Sequence, residues 1–162
     1  MTDWQELWEN FQERGGWWVA AQLLLLALII LIPVWATRPM ATLPLPLLVT
    51  GWFLIIFGLV CVLLAAQALG SALTPFPLPV AGERMRKQGI YRLVRHPMYL
   101  GVLCLALGWV LLRQSAPGML LVAILFVFFD RKAAREERWL TEKYPEYADY
   151  RGRVKKLIPG VY

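Results

Sequence analysis

The amino-acid sequence predicts an all-α integral membrane protein, a helical bundle that crosses the bilayer about four times. Hydrophobic residues make up 59% of the 162 residues and charged residues only 17%, whereas a soluble domain is closer to half apolar and a quarter charged. The apolar residues also form long stretches, with no charged residue in positions 17–37 or 39–82. Because about 20 helical residues cross the hydrocarbon core, both stretches can span it.

Residues 1–16 are predicted to form a short amphipathic helix at the membrane interface. Trp4, Leu7, Trp8 and Phe11 recur at helical spacing, and the positions between them are acidic or polar. This pattern is typical of a helix that lies in the interface with its aromatic face towards lipid. Its acidic face indicates an anchor or a cover rather than attraction to anionic lipid.

Two long spans follow the interfacial helix. The first is predicted at residues 17–35, where Pro33 ends or bends it. A short proline-containing connection leads to the second span at residues 47–69. Residues 74–79 carry three prolines and are predicted to be extended rather than helical.

The last two apolar segments are shorter and are predicted to form a hairpin. Residues 97–112 and 114–129 are separated by Arg113 alone, and each would be about 24 Å long as a helix. They span the bilayer if Arg113 reaches the interface at the hairpin tip; a re-entrant or shallow hairpin is the alternative. Charged residues 130–143 should continue the last helix into the cytoplasm, and a short helix is predicted at 147–151.

The chain is therefore interpreted as one membrane domain, residues 1–162, with the interfacial helix at 1–16, two spans and a proline-rich loop at 17–82, and a polar-rich hairpin region at 83–162. With four spans, all but Arg38 and Arg113 of the 17 lysines and arginines lie on one side. The positive-inside rule places that side in the cytoplasm. Membrane lipids, not nucleic acid, are the expected partner of the net charge of +6.

Several common site types are excluded by the residues that the chain contains. His96 is the single histidine, and both cysteines, Cys61 and Cys104, fall inside apolar segments, so no metal site is expected. The sequence has no phosphate-binding glycine-rich loop and no serine in a nucleophile elbow.

Polar residues concentrate instead at the open end of the predicted hairpin. One group occupies positions 89–101, where its first helix begins, and the other positions 131–138, just after its second. The hairpin brings these groups together at the cytoplasmic surface, and charged groups at that depth indicate a cavity. The start of the third span offers unpaired N–H groups that suit a carboxylate. A glutamate at the exit of the fourth suits an ammonium group. An amino-acid head, such as that of S-adenosylmethionine, would bridge them.

Several motifs follow one another in the second half of the chain. Gly-Ile-Tyr-Arg precedes the run Arg-His-Pro-Met-Tyr-Leu-Gly at 95–101, and Glu-Glu-Arg and a tyrosine-rich tail ending in Ile-Pro-Gly come after it. In this order they resemble the isoprenylcysteine carboxyl methyltransferase and phospholipid methyltransferase superfamily. The resemblance covers about residues 75–160. It implies a membrane enzyme that uses S-adenosylmethionine and a lipophilic or lipidated acceptor that enters from the bilayer. The cofactor-binding residues that it implies are Arg95, His96, Pro97, Tyr99, Gly101, Glu136 and Glu137.

The resemblance also suggests which residues act on the acceptor. If the acceptor is a carboxylate, as in an isoprenylcysteine-like molecule, Arg135 or Arg138 would hold it and no base is needed. An amine or thiol acceptor must lose a proton, which Glu136, Glu137 or His96 could take. Because adjacent helical residues point about 100° apart, only one of the two glutamates should face the site. Glu137 is the expected one.

Structural roles remain open for several of these residues. His96 can simply cap a helix, and Arg131, Arg135 and Arg138 can anchor headgroups from one helix face. Lys132 and Glu136 can form an i,i+4 pair. Gly101 and Gly108 can serve close helix packing. Tyr144, Tyr147 and Tyr150 can form an interfacial aromatic belt or line a lid.

Two other function classes remain possible. Membrane sterol reductases resemble the same C-terminal region and use a nicotinamide cofactor, but they are considerably longer. A non-enzymatic membrane subunit would leave the polar groups at the hairpin mouth without a purpose.

Overall fold

A computed structural model describes residues 3–35, 43–76 and 85–162, and these residues are helical with no strand. The six α-helices are α1 (Asp3–Glu13), α2 (Gly16–Trp35), α3 (Leu45–Leu69), α4 (Pro97–Leu112), α5 (Ala116–Lys143) and α6 (Tyr147–Arg153). Short 3-10 turns occupy Gly70–Ala72 and Gly89–Arg92. The predicted all-α class and the order of helices are confirmed.

Two helices, α2 and α3, are long and apolar enough to cross a membrane. They have 20 and 25 residues, or about 30 and 37 Å of helix. Only 11% and 17% of their most apolar windows are buried within the protein, so most of their apolar side chains face outwards. The helix α2 continues through Pro33 to Trp35, so this proline does not end the helix before Trp35.

The helices α3 and α4 pack against each other at two pairs of glycines. A Cβ atom on Gly101 would lie 2.7 Å from the carbonyl oxygen of Gly58, and one on Gly108 would lie 2.6 Å from that of Gly51. Gly51 thus faces the later glycine of α4 and Gly58 the earlier one, which makes the helices antiparallel. Because the backbones touch at these points, side chains larger than glycine would separate the helices.

The core of the bundle is formed by α2, α4 and α5. Its buried residues are Ile29, Ala106, Val110, Val122, Leu125 and Phe129. The turn between α4 and α5 covers residues 113–115, since α5 begins at Ala116, where the Ser115 hydroxyl accepts a hydrogen bond of 3.1 Å from Gly118 N–H. The predicted fourth span and the charged helix after it form one continuous helix of 28 residues.

The N-terminal amphipathic helix is present as α1, which packs its aromatic face on the start of α2. The Trp8 ring lies 5.7 Å from that of Phe11 and 5.6 Å from that of Trp17. Phe11 also lies 6.2 Å from Phe76. The location of α1 at a membrane interface stays a prediction. Of the predicted extended stretch 74–79, residues 77–79 lie outside the described part of the chain, as does Arg38.

The C-terminal segment returns to the start of α4. Lys155 forms an isolated parallel bridge with Val94. Arg95 N–H donates to Lys155 O at 2.8 Å, and His96 N–H donates to Lys156 O at 3.0 Å. The end of the chain therefore holds the backbone of the Arg95–His96 pair in position.

Candidate active site

A cavity opens where α4 begins, between the end of α3, the second half of α5 and α6. Residues from four parts of the chain line it. They are Leu69, Ala72, Thr74 and Phe76 from the end of α3 onwards, Met85, Arg86 and Tyr91 before α4, Arg95, His96, Met98 and Tyr99 around its first turn, and Glu136, Leu140, Tyr144, Tyr147 and Tyr150 from α5 to α6. We call it the α4–α5 cavity.

Glu137 forms a buried ionic centre behind this cavity. Its carboxylate accepts hydrogen bonds from Arg95 Nε at 2.9 Å and from His96 Nε2 at 3.0 Å. Arg151 Nε lies 3.6 Å from its other oxygen. Glu137 is only 3% exposed, so the carboxylate is shielded from water and joins α5 to the start of α4.

The surroundings of Glu137 stabilise its charged form. Burial alone would raise the pKa of this carboxyl group. The hydrogen bonds and positive charge of His96 and Arg95 outweigh burial and lower the pKa from 4.5 to about 2. Glu137 is therefore an anion that is already paired with cations within the protein.

Glu136 is the carboxylate that faces the cavity. Tyr99 donates its hydroxyl proton to Glu136 Oε2 at 2.8 Å, and His96 Nδ1 lies 3.7 Å from the same oxygen. The Glu136 side chain is 28% exposed, so it can accept further hydrogen bonds. Tyr99 is held by parallel stacking on His96 at 5.3 Å and on Phe129 at 4.6 Å.

Three buried tyrosines close the cavity on the side of α6. Tyr150 donates its hydroxyl to Tyr91 O at 2.6 Å, and burial raises the pKa of Tyr150 to about 12. Tyr147 is 2% exposed, and its hydroxyl has no hydrogen-bond partner among the described residues. Because buried hydroxyls are rarely left unpaired, this group is available to a ligand.

The structure brings together part of the predicted cofactor-binding set. Arg95, His96, Tyr99 and Glu136 line the cavity. Glu137 lies behind it, so Glu136 is the glutamate that faces this cavity, while the roles of both glutamates in cofactor binding stay predictions. A rotation of about 100° between neighbouring helical residues turns Glu137 towards Arg95 and away from the cavity.

Two other predicted cofactor-binding residues have structural positions. Pro97 is the buried first residue of α4, where its missing N–H costs nothing. Gly101 lies at the contact between α4 and α3, and its predicted place in the cofactor pocket stays a prediction. Packing between glycines, the alternative role, is the one observed.

Neither arginine predicted to act on the acceptor lines the cavity. Arg135 is exposed and its guanidinium lies 4.9 Å from the Trp139 ring. Arg138 is also exposed. Both project from the outer face of α5, because the inner face is occupied by Ala133, Glu136 and Glu137.

Some cavity residues were not predicted from the sequence. Thr74, Phe76 and Met98 lie outside the polar clusters or carry no charge that would point to a site. Leu140 was detectable, because it lies four residues after Glu136 on the same helix face. An interfacial belt is wrong for Tyr147 and Tyr150, which are buried. Their spacing of three residues on α6 places both on the face that packs on the cavity.

Lys132 lies one helical turn before Glu136 and is also buried, at 2% exposure. The i,i+4 alternative paired it with Glu136. Its ammonium instead donates to Gln22 Oε1 at 2.6 Å and to Pro75 O at 3.0 Å. Burial lowers its pKa from 10.5 to about 8. Lys132 therefore ties α2 and the Thr74–Phe76 wall of the cavity to α5.

Within the described ranges, no group of three or more histidine, cysteine or acidic side chains is arranged to hold a metal ion. Among the groups that line the cavity are the Glu136 carboxylate, the Tyr147 hydroxyl, several aromatic rings and the first turn of α4. These groups suit a zwitterionic ligand, because Glu136 can accept from an ammonium group and the N–H groups of the first turn can donate to a carboxylate.

Comparison with known proteins connects this cavity to one family. A sequence model of the phospholipid methyltransferase family matches residues 47–147. The chain is 33% identical over 103 residues to the protein-S-isoprenylcysteine O-methyltransferase of Schizosaccharomyces pombe, across 59% of the chain and 44% of that protein. It is 34% identical over 77 residues to the Saccharomyces cerevisiae protein of the same name, across 46% of the chain and 32% of that protein.

A plant relative aligns with more of the chain. A probable protein-S-isoprenylcysteine O-methyltransferase of Oryza sativa subsp. indica is 31% identical over 122 residues, across 68% of the chain and 63% of that protein. The chain thus spans less than two thirds of the length of each of these relatives. The matched family region includes α4 and α5 and ends at Tyr147, so it contains most of the cavity.

Proposed function

Because the chain belongs to the phospholipid methyltransferase family, we propose that it is a membrane enzyme that transfers a methyl group from S-adenosylmethionine to a lipophilic acceptor. The observation that carries the proposal is the cavity-facing carboxylate of Glu136, held by Tyr99 beside the first turn of α4. That arrangement fits the amino-acid head of the methyl donor. The names of the relatives support an O-methyltransferase.

Three features of the cavity fit the donor. Glu136 would accept from its ammonium group, and the backbone N–H groups of Met98 and Tyr99, in the first turn of α4, would donate to its carboxylate. The Tyr147 hydroxyl, which has no partner among the described residues, would gain one from the ligand. Glu137 would act as a positioning residue, because its bonds to Arg95 and His96 hold the cavity wall in place.

The proposed acceptor is the carboxylate of an isoprenylcysteine-like molecule. When bound, the donor supplies an electrophilic methyl group, so that a carboxylate oxygen forms the new O–C bond while the S–CH3 bond breaks and leaves neutral S-adenosylhomocysteine. A carboxylate is already ionised at neutral pH, so the protein needs to align the reactants and exclude water rather than remove a proton. A phospholipid acceptor, which the family description suggests, would require Glu136 or His96 as a base if the methyl group goes to an amine.

The proposed topology has four spans with the α4–α5 cavity on the cytoplasmic side. The apolar helices α2 and α3 supply two spans, and α4 with the first half of α5 would supply a shorter hairpin. Arg113 donates to Val34 O at 3.4 Å, which sets the hairpin tip at the same level as the end of α2. The excess of basic residues on the side of the cavity supports its cytoplasmic orientation.

Calorimetric titration of the purified protein with S-adenosylhomocysteine tests the proposal. We expect micromolar binding to the wild type and at least a tenfold loss in Glu136→Gln, because the partner of the ammonium group loses its charge. Glu142→Gln is the matched control, since Glu142 is an exposed carboxylate on the same helix. The absence of binding heat with folded, monodisperse wild type would refute the proposal; binding of NADPH would then favour a reductase, and binding of neither a non-enzymatic subunit.

A further inference from the structure

A second, cationic pocket lies between α6 and the C-terminal segment, outside the α4–α5 cavity. The residues that line it are Arg95, Arg151, Gly152, Lys155, Lys156, Val161 and Tyr162. Four of these are cations, and none of the described lining residues is acidic. Arg95 is shared with the α4–α5 cavity. We call this second pocket the basic pocket.

The cations of the basic pocket are only partly neutralised by carboxylates behind them. Arg95 and Lys156 each have a carboxylate partner, at 2.9 Å and 2.6 Å. Arg151 lies 3.6 Å from Glu137, which Arg95 already engages, and its side chain is 59% exposed. Lys155 is exposed, and its ammonium group forms no ion pair within the described part of the chain. The pocket therefore presents an excess of positive charge to solvent.

The basic pocket lies at the level where α5 would leave the membrane. Asp130 is the first charged residue of α5, directly after its apolar half. Its Oδ1 accepts hydrogen bonds of 2.6 Å from both Lys156 and Tyr162. The Tyr162 ring also lies 6.3 Å from the ring of Phe126, one helical turn before Asp130. The C-terminal segment thus crosses α5 at the boundary between its apolar and its charged halves.

An apolar surface adjoins the cations at this boundary. Val161 is 73% exposed, Tyr162 43% and Phe126 38%. Exposed apolar side chains below a group of cations are typical of a surface that meets lipid chains and anionic headgroups together. A free phosphate would engage only the cations, whereas an anionic phospholipid engages both parts of the surface.

We propose that the basic pocket binds the headgroup of an anionic phospholipid from the cytoplasmic leaflet. The lipid phosphate lies by Lys155 and Arg151, and the acyl chains pass Val161 towards Phe126 on the lipid-facing side of α5. The inference rests on the proposed membrane topology and not on methyl transfer. Because the C-terminal segment also holds the backbone of the Arg95–His96 pair, a lipid bound there would secure the start of α4.

Native mass spectrometry of the purified protein in detergent tests the inference, because it resolves and quantifies each bound lipid. The probes are phosphatidylglycerol and phosphatidylcholine with the same acyl chains, which differ in net charge. Each exposed charge pair changes affinity up to about fivefold. With two exposed cations in the pocket, we expect the wild type to prefer phosphatidylglycerol roughly tenfold and Lys155→Glu to bring that preference close to one.

Matched controls separate a specific site from general attraction to the basic side of the protein. Arg138→Glu makes the same change of charge on an exposed residue that does not line the basic pocket, and it should keep the wild-type preference. Arg151→Gln should lower the preference up to about fivefold. Glycerol 3-phosphate carries the phosphate without acyl chains, and at equal concentration it should not displace phosphatidylglycerol. A monodisperse elution profile checks the folding of each variant.

Equal affinity of the wild type for the two lipids would overturn the inference. An unchanged preference in Lys155→Glu would do the same, as would an equal loss of preference in Lys155→Glu and Arg138→Glu. Displacement of the lipid by equimolar glycerol 3-phosphate would replace the lipid site with a site for soluble phosphates. Failure of the proposed function is a separate result: S-adenosylhomocysteine would not bind, while the lipid preference and its loss in Lys155→Glu would persist.

Discussion

Replacing Glu137 with glutamine should destabilise the protein more than any other single change of a charged residue in the cavity region. The substitution keeps the size of the side chain and removes its charge. Arg95, with its side chain 9% exposed, then retains a charge without a carboxylate partner. Breaking a buried ion pair from one side typically costs about 3–5 kcal/mol. Because glutamine can still accept one hydrogen bond, the lower end of that range applies.

The pKa of Glu137 leads to a similar magnitude. Its folded-state value of about 2 lies below the ordinary 4.5, and each unit corresponds to about 1.4 kcal/mol. The charged form is thus stabilised by roughly 3 kcal/mol relative to the protonated form. The ion-pair geometry and the lowered pKa both reflect the contacts of Glu137 with Arg95 and His96, and both give a fall of about this amount in the free energy of unfolding.

Unfolding in detergent, followed by circular dichroism during titration with sodium dodecyl sulfate, measures the change. Glu142→Gln should match the wild type, because Glu142 is exposed. Glu136→Gln should lose S-adenosylhomocysteine binding with a loss of less than 1 kcal/mol in unfolding free energy. If Glu137→Gln instead keeps wild-type stability and loses only ligand binding, the assignment of Glu137 as an internal anchor is refuted.

Four further predictions follow from individual contacts. Below pH 4.5 the wild type should lose stability progressively towards pH 2. Glu137 has a lowered pKa in the folded protein, so its stabilising contribution is complete only above its pKa in the unfolded chain. Glu137→Gln should lack this part of the acid sensitivity in the same unfolding assay. Gly101→Val should lower the free energy of unfolding by about 2 kcal/mol, because it forces α4 away from the Gly58 carbonyl. The affinity of the folded variant for S-adenosylhomocysteine should be unchanged. Gly152→Ala, where an added Cβ meets nothing within 4 Å, should be neutral. Tyr147→Phe should keep wild-type stability and weaken S-adenosylhomocysteine binding up to about tenfold, since the lost hydroxyl has no protein partner among the described residues; unchanged affinity would exclude a ligand contact. As the pH rises from 8 to 10.5, the wild type should gain stability relative to Lys132→Met. In that range Lys132 is deprotonated in the folded protein but still protonated in the unfolded chain, because its pKa is lowered on folding. Parallel pH curves for the two proteins would contradict this.

Local features of the sequence were sufficient to predict the helices. The apolar stretches at 17–37 and 39–82 exclude charges over lengths that few structures other than spans can accommodate, and α2 and α3 lie within one or two residues of the predicted bounds. Pro97 marks the start of α4 for a reason local to the helix, since the first turn has unpaired N–H groups in any case. The start of α5 needed more context, because α5 begins at Ala116 and not at residue 114, after Ser115 has capped it by accepting from Gly118 N–H.

The candidate site was predicted only as a set of residue types near the mouth of a hairpin. The polar groups at 89–101 and 131–138 were identified because the chain has few polar residues at membrane depth. The family resemblance then implied Arg95, His96, Tyr99 and the glutamate pair within them. Their spacing could not tell which glutamate is free to bind a ligand. Glu136 and Glu137 are equivalent in a sequence, and the choice depends on Arg95, 42 positions from Glu137.

The sequence by itself determined the helices and the bias of positive charge, because each depends on length, polarity or local backbone preference. It also predicted residues that would bind a zwitterion. Only the tertiary structure decided that Gly101 packs on Gly58, that Tyr147 and Tyr150 are buried, and that Glu137 is an internal anchor. Each of these depends on a contact between distant segments. The side of a helix that meets such a contact is set by how the whole bundle packs, not by the residues of that helix alone.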